Sequence, residues 1–418
     1  MNTRIKLVIA ASAAIWMIPM TRAVAGIDVT AGDWKIDFSG NVNAFYVGTS
    51  CDNASTSPNI NGGLACAGDN SASVRNGLLP AALVFSATTR QADFDIDVTI
   101  GFYPGINSSL GGAVNGTGNP SALQSPGIDA RQAYFTFGDA SWGTVKMGRD
   151  IGLFGKDAIL DDMTLLGMGT ASANAAPSNT SLGRIGIGYI YTDWEPQITY
   201  TTANFSGFTG SVGVFQPLDP LDGSGYVSHN SPQIQAGLAY AWGDPKSDGL
   251  TGKVWVDVVT QHLKLNSTDV AAANLIGKAT DYSGTAVDGG VKLDVAGFEA
   301  VLYGYTGKGV GTTGLYYLAT SALGDTRKSD GGYVQATYKM DKLKIGLSYG
   351  ISDLKLADDE ISTGNTLVKR NESGVVGVYY SLTKSVTLVG EFVETKAEDW
   401  GGESVKQHDI ALGGILFF

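Results

Sequence analysis

Three histidines and two cysteines among 418 residues leave little material for metal ligation or thiol chemistry. His229, His262 and His408 stand apart in the chain, and no nucleophile elbow, H-E-x-x-H pair, P-loop or C-x-x-C motif occurs. No catalytic residue, metal or cofactor is therefore expected. The glycine-rich GKGVGTTG of residues 307–314 reads as a loop, because no helix follows it to cradle a phosphate. Charged residues make up 16%, below the usual quarter, while glycine is abundant at 57 and proline modest at 12. Disorder and long helices both fit that profile poorly. Acidic residues outnumber basic ones by 40 to 28, so the basic footprint that nucleic acid demands is absent.

Long apolar runs are missing too, apart from one at the N-terminus. Arg4 and Lys6 precede LVIAASAAIWMIPM, a run of about 14 residues against the roughly 20 that a bilayer-crossing helix needs, and Pro19 interrupts it. Ala23-Val24-Ala25 then supplies the small-x-small pattern of a signal-peptidase site. Residues 1–25 thus read as a cleaved secretory signal and residues 26–418 as one domain. Cleavage removes Arg4, Lys6 and Arg22 and takes the formal charge from −12 to −15. In an exported chain Cys51 and Cys66 most simply form one disulfide within their loop; a metal or redox pair is the alternative, with no second pair or nearby histidine behind it.

What the chain does have is alternation. In FDIDVTIGFY, residues 94–103, Phe94, Ile96, Val98, Ile100 and Phe102 share one side of an extended strand, and Asp95, Asp97, Thr99, Gly101 and Tyr103 share the other. The same rhythm predicts strands near residues 34–46, 78–89, 94–103, 130–138, 142–149, 184–202, 207–215, 233–242, 251–264, 285–295, 298–307, 332–340, 343–352, 374–382, 386–396 and 407–418. Seven short connections alternate strictly with eight long ones. Sixteen strands at about 25 residues each, connections included, suit a membrane barrel with short turns on the periplasmic side and long loops outside, both chain ends being periplasmic.

A soluble sandwich has a similar period, so other features must decide. Many strands run longer than the usual globular five or six residues, which fits a tilted bilayer crossing. Aromatics gather towards strand ends, where Trp34, Phe45, Tyr46, Phe102, Tyr103, Trp142, Trp242, Tyr303, Tyr305, Tyr379 and Tyr380 are candidate interfacial girdles. The final IALGGILFF ends on Phe418 and resembles the assembly signal of outer-membrane barrels, which implies the barrel-assembly machinery as a partner. In hydrocarbon a sheet must close on itself to satisfy its backbone. The expected fold is therefore all-β, a 16-stranded antiparallel transmembrane β-barrel, too wide for side chains to fill and so holding water.

At RQAYFTFGDASWGTVKMGRDIGLFGKDAILDDMTLLGMG, residues 131–169, the chain resembles the trimeric general-diffusion porins of Gram-negative outer membranes, with an R-x-A-aromatic strand, a hairpin, a G-x-V-x-x-G-R strand and a long third loop. The resemblance implies a homotrimer in the outer membrane and a third loop folded into the pore. It also implies a constriction with Arg131 and Arg184 on the wall, Asp162 on the loop, and Asp157 and Asp161 as additions to the acidic side. Opposite charges across a narrow opening set up a field that polar solutes tolerate better than apolar ones. The chain departs from that pattern in three ways. LLPAALVFSATT offers no basic wall residue, Leu165-Leu166 stand where a second acid is expected, and Arg149 shares its parity with Val145 and Met147, pointing outward unless the strand end twists. Strict parity also sets Phe135 and Phe137 on the side of Arg131.

Residues 104–126 correspond in position to the segment that latches neighbouring subunits in that family; a free surface loop is the alternative. The carboxylate pairs Asp358-Asp359 and Glu398-Asp399 read as outer-loop residues, either simply solvated or bridged through divalent cations to lipopolysaccharide. The function that fits is a passive, water-filled channel for ions and small hydrophilic solutes, leaning towards cations on net charge. Alternatives are a substrate-selective channel, with the Phe135/Phe137 side as its one hint, and a β-rich surface adhesin.

Overall fold

The computed structural model describes residues 26–52, 58–66, 70–107, 126–171, 179–245, 249–266 and 278–418. The expected signal and most of the expected subunit latch lie outside the described residues. The strands are β1 (Ile27–Ala31), β2 (Trp34–Cys51), β3 (Ser71–Arg75), β4 (Ala82–Gln91), β5 (Phe94–Pro104), β6 (Ile128–Asp139), β7 (Gly143–Ile151), β8 (Trp194–Thr202) and β9 (Phe208–Phe215). They continue as β10 (Gln233–Trp242), β11 (Thr251–Lys264), β12 (Asp281–Val295), β13 (Phe298–Lys308), β14 (Lys328–Met340), β15 (Leu343–Leu354), β16 (Val368–Ser381), β17 (Val386–Asp399) and β18 (Ser404–Phe417).

Among the described residues, sixteen of these, β2 and β4 to β18, pair antiparallel in a ring that β18 closes against β2, from Gln407 opposite Cys51 to Phe417 opposite Asn41. The small β3 continues the line of β4 along the upper part of β2. β1 pairs with the start of β2, Ile27 opposite Phe38, on the same side as β18. Closure leaves no sheet edge in contact with hydrocarbon.

The outer face is apolar, as the alternation predicts. Phe102, Ile198, Leu302, Leu347, Val376 and Leu412 are all exposed on it. Near the short turns aromatic rings collect on that face: Trp142 stacks on Tyr200 at 6.2 Å, and Phe208 and Tyr240 lie 4.4 Å apart. Rings of this kind suit the boundary between headgroups and acyl chains. Tyr46 and Tyr380 are outward and exposed. Phe45, Tyr103, Tyr303, Tyr305 and Tyr379 are not girdle residues, however: each points inward and is buried. Their parity is lumenal, and loop residues have folded down to cover them.

The strand expected from residue 184 begins only at Trp194. Residues 184–193 carry the alternation of a strand, but Gly183, Gly186 and Gly188 have φ of 55°, 77° and 125°, which turns the backbone back on itself. Ile185, Ile187 and Ile190 pack inside the barrel. Likewise residues 78–81 are not strand; Leu78 is buried in the same lumenal cluster. Glu398 and Asp399 close β17 rather than standing in a loop, and Glu398 accepts from the Lys396 ammonium.

Cys51 and Cys66 form the expected disulfide, with Cα atoms 5.7 Å apart and a sequence separation of 15. Closing a loop of this size restrains the unfolded chain by about 3 kcal/mol. Reduction, or a Cys51→Ser/Cys66→Ser variant, is expected to leave barrel migration on unheated gels unchanged while opening the loop to protease. Equal protease resistance in both forms would contradict this.

Candidate functional site

The interior of the barrel is organised by residues 152–171 and 179–193, which lie between β7 and β8 and run along the inner wall. Inward polar side chains on successive strands accept the backbone N–H groups of this loop. Gln235 on β10 takes Leu153 N and Phe154 N at 2.6 and 2.9 Å, and Asp288 on β12 takes Gly155 N at 2.7 Å. Gln335 on β14 takes Met163 N at 2.7 Å, and Glu391 on β17 takes Met168 N and Gly169 N at 2.8 Å each. A Cβ on Gly167 would stand 2.0 Å from Glu391 Oε1, so only glycine permits that approach. Phe154, Ala158, Met168, Ile187 and Ile190 complete the dock with fully buried apolar contacts. Buried backbone donors must find acceptors, and the wall provides them.

The six candidate charges fall into four situations. Arg131 faces inward and is buried, its Nε on Asp129 at 2.7 Å, its Nη2 on Asn179 of the loop at 3.2 Å, and its guanidinium 5.5 Å from the Tyr103 ring centre. A register shift between Gly101 and Tyr103 breaks the parity of β6 at this point, which is why Phe135 is exposed on the outer face although Arg131 points in. Phe137 stacks on Phe135 at 6.4 Å, so neither of the two lines the lumen. Arg149, by contrast, sits opposite Ala133 and Pro196 on the outer face of the wall.

Asp157 lies in α1 (Lys156–Leu160) and reaches Lys253 of β11 at 2.5 Å; Asp161 just after it reaches Lys292 of β12 at 3.0 Å. The two acids therefore tie the loop to the wall.

Asp162 caps the 3-10 turn Met163–Leu166, accepting from Thr164 N at 2.9 Å, and also takes the Tyr189 hydroxyl at 3.1 Å. Arg184 is on the loop, not on the wall, and fully buried, with Nη1 on Ser373 O at 3.2 Å. Burial pushes the Asp162 carboxyl up and the Arg184 guanidinium down, each against the other's attraction. Both lie within the docked loop, Asp162 bonded to Thr164 and Tyr189 and Arg184 to Ser373, rather than on opposite sides of an opening.

Sequence reading missed the wall lysines. Lys253 and Lys292 are cross-strand partners, as are Lys339 and Lys344, all inward. They occupy the lumenal parity of their strands, Lys253 alternating with Trp255 and Asp257, a signal available in the sequence but not tied there to any site. Half a turn of the barrel away stand Asp37, Asp95, Asp97 and Asp139, close to the short-turn ends of β2, β5 and β6, with Arg90 bridging Asp95 and Asp139 at 2.6 and 3.0 Å. Below the loop a side rich in carboxylates thus faces one where four lysines stand among Asp294 and Glu299. The basic residue absent from the second wall strand has its counterparts on β11 to β15.

A closed sixteen-strand barrel with an inward third loop is the architecture of diffusion channels, and residues 9–399 match the Gram-negative porin family. The chain belongs to that family. The porin is accordingly an outer-membrane β-barrel forming a channel for passive diffusion. No curated protein matches its sequence. In fold the porin is similar to the outer membrane channel DcaP of Acinetobacter baumannii, with TM-score 0.68 at 16% identity, covering 94% of this chain and 100% of that one. It is also similar to OmpF of Salmonella typhi in complex with daunomycin, with TM-score 0.56, 13% identity and coverage of 94% and 100%. A third likeness is to the trimer form of OmpT of Vibrio cholerae, with TM-score 0.51, 12% identity and coverage of 92% and 99%.

Proposed function

We propose that this porin passes ions and small hydrophilic solutes without catalysis, and that the charged walls beneath the docked loop, rather than the loop carboxylates, sort them. The observation that carries this is the pairing of Asp157 with Lys253 and of Asp161 with Lys292. These loop charges are neutralised on one side of the lumen, while Asp37 and Asp97 face it from the other. Arg131 joins Asp129 to Asn179 and so shapes the opening more than it charges it. A polar solute in the gap between these charged walls can exchange part of its hydration for oriented contacts.

The remaining parts of the reading concern the mature protein in its membrane. Residues 1–25 are removed on export, the mature 26–418 barrel works as a homotrimer latched by residues 104–126, and it lies against outer-membrane lipid and lipopolysaccharide. Assembly proceeds through the C-terminal strand, whose Phe418 ring lies 6.3 Å from Phe38 and whose backbone bonds Gly40. Recovery from detergent as a heat-modifiable trimer supports the oligomer; a conducting monomer sinks it.

The selectivity test is electrical. In a salt gradient across a planar bilayer, Lys292→Gln is expected to move the reversal potential towards cations, since Asp161 and Glu299 then lose the ammonium they share at 3.0 Å. Arg131→Ala should change conductance more than selectivity. If the two variants match the parent in both quantities, the charged walls do not sort solutes.

A further inference from the structure

Lys339 and Lys344 stand directly opposite on β14 and β15, and like charges in that position repel. The neighbouring opposed pair, Lys253 and Lys292, is relieved by carboxylates. Glu299 and Asp294 attract the Lys344 ammonium from a distance without forming an ion pair with it, while Lys292 and Lys339 repel it. Among the described residues neither ammonium pairs with a carboxylate; Lys344 lies instead over the Tyr379 ring, 5.2 Å from its centre. Both line a cavity of 460 Å³ between the underside of the loop and the short turns, into which Lys342 and Lys384 also project. The acids on this cavity are Asp161, Asp162, Asp294 and Glu299. Asp161 and Glu299 are held by Lys292, Asp162 is buried in its turn, and Asp294 stands opposite Glu299. Lys339, Lys342, Lys344 and Lys384 thus share one half of the cavity, none of them ion-paired with a carboxylate among the described residues.

We propose that this half is a binding site for small oxyanions at the periplasmic mouth of the channel. An anion bridging Lys339 and Lys344 turns a repulsive cross-strand pair into a favourable one. The hydroxyls of Thr337, Ser381 and Thr387 line the same space and donate to its remaining oxygens. The site favours anions locally although the chain as a whole is acidic. Field lines in a low-dielectric cleft follow the nearby charges rather than the net sum.

The inference rests on the channel reading above, and the test separates the two. The intact porin is reconstituted in a planar bilayer in potassium chloride, and inorganic phosphate is added to either side. The parent channel is expected to be blocked by phosphate from the short-turn side more readily than from the loop side. Lys339→Gln/Lys344→Gln should need roughly tenfold more phosphate for the same block. Lys344→Arg, which keeps the charge, should retain the block, and Lys355→Gln on the outer surface should leave it unchanged. Open-channel currents and heat-modifiable migration confirm that each variant has assembled. Equal phosphate sensitivity in the parent and the double variant, or none in a conducting parent, overturns the site. Failure of the parent to conduct at all would overturn the channel reading and the site with it.

Discussion

Glu391→Ala is expected to release the loop from the wall without unfolding the barrel. Glu391 accepts from Met168 N, Gly169 N and the Tyr379 hydroxyl, at 2.8, 2.8 and 2.7 Å, in a fully enclosed position. Alanine leaves three buried donors without their acceptor, a cost on the order of 3 kcal/mol or more. The sheet loses nothing, since the ladder between β17 and its neighbours is backbone to backbone. The free energy is therefore lost locally, as loop opening. Amide exchange at residues 168 and 169 should accelerate by about two orders of magnitude, and single-channel traces should become noisier. Glu391→Gln keeps one acceptor oxygen and should fall between. Unchanged protection of those two amides in the alanine variant would mean that packing, not the carboxylate, holds the loop.

The second large effect is expected on the outer face. Leu347 is 61% exposed near the middle of β15, where its neighbours are acyl chains. Arginine at such a position costs about 2–4 kcal/mol near the bilayer midplane. Leu347→Arg should lower the denaturant midpoint of the barrel in lipid vesicles by a corresponding amount. A charge on the inner wall has water beside it, so Ser86→Lys, on the lumenal parity of β4 where Ser86 meets Thr99 at 3.3 Å, should shift the midpoint far less. Equal shifts would remove the distinction between the two faces.

The wall was legible because one strand carries two environments, and period two is the only way to present them. FDIDVTIGFY reads correctly for that reason, Phe102 outward and Asp97 inward with the Thr136 hydroxyl at 3.2 Å. Residues 184–190 were misread for a related reason. Isoleucines alternating with glycines look like a strand with an apolar face, but the oil here is the plug inside the barrel, and Gly183 and Gly186, with φ of 55° and 77°, turn the backbone out of extension. Periodicity reports which side is apolar and not where that side is buried. The same limit misassigned Tyr303 and Tyr379, whose hydroxyls serve Asp288 and Glu391 inside the lumen.

The site was legible in part. Resemblance pointed to the loop that enters the barrel and to the acids it carries, but a charge's role depends on its partner. Asp157 and Asp161 found lysines on strands about 100 residues or more away in sequence, 96 and 131 positions on. Nothing local to the loop announces that. Arg131 escaped its strand's parity through a backbone irregularity that no side chain signals. Cross-strand register, which brings Lys339 opposite Lys344, is a property of the closed sheet.

Everything rests on the two faces of the wall meeting different media, and spin labels read this directly. Single labels at positions 83, 85, 86 and 88 of β4 in lipid vesicles can be relaxed by oxygen, which concentrates in acyl chains, and by a water-soluble nickel chelate. Positions 83 and 85 are expected to respond to oxygen, and 86 and 88 to the chelate. Chelate access at 83 and 85 with oxygen access at 86 and 88, or no alternation at all, would contradict a barrel with lipid outside and water within.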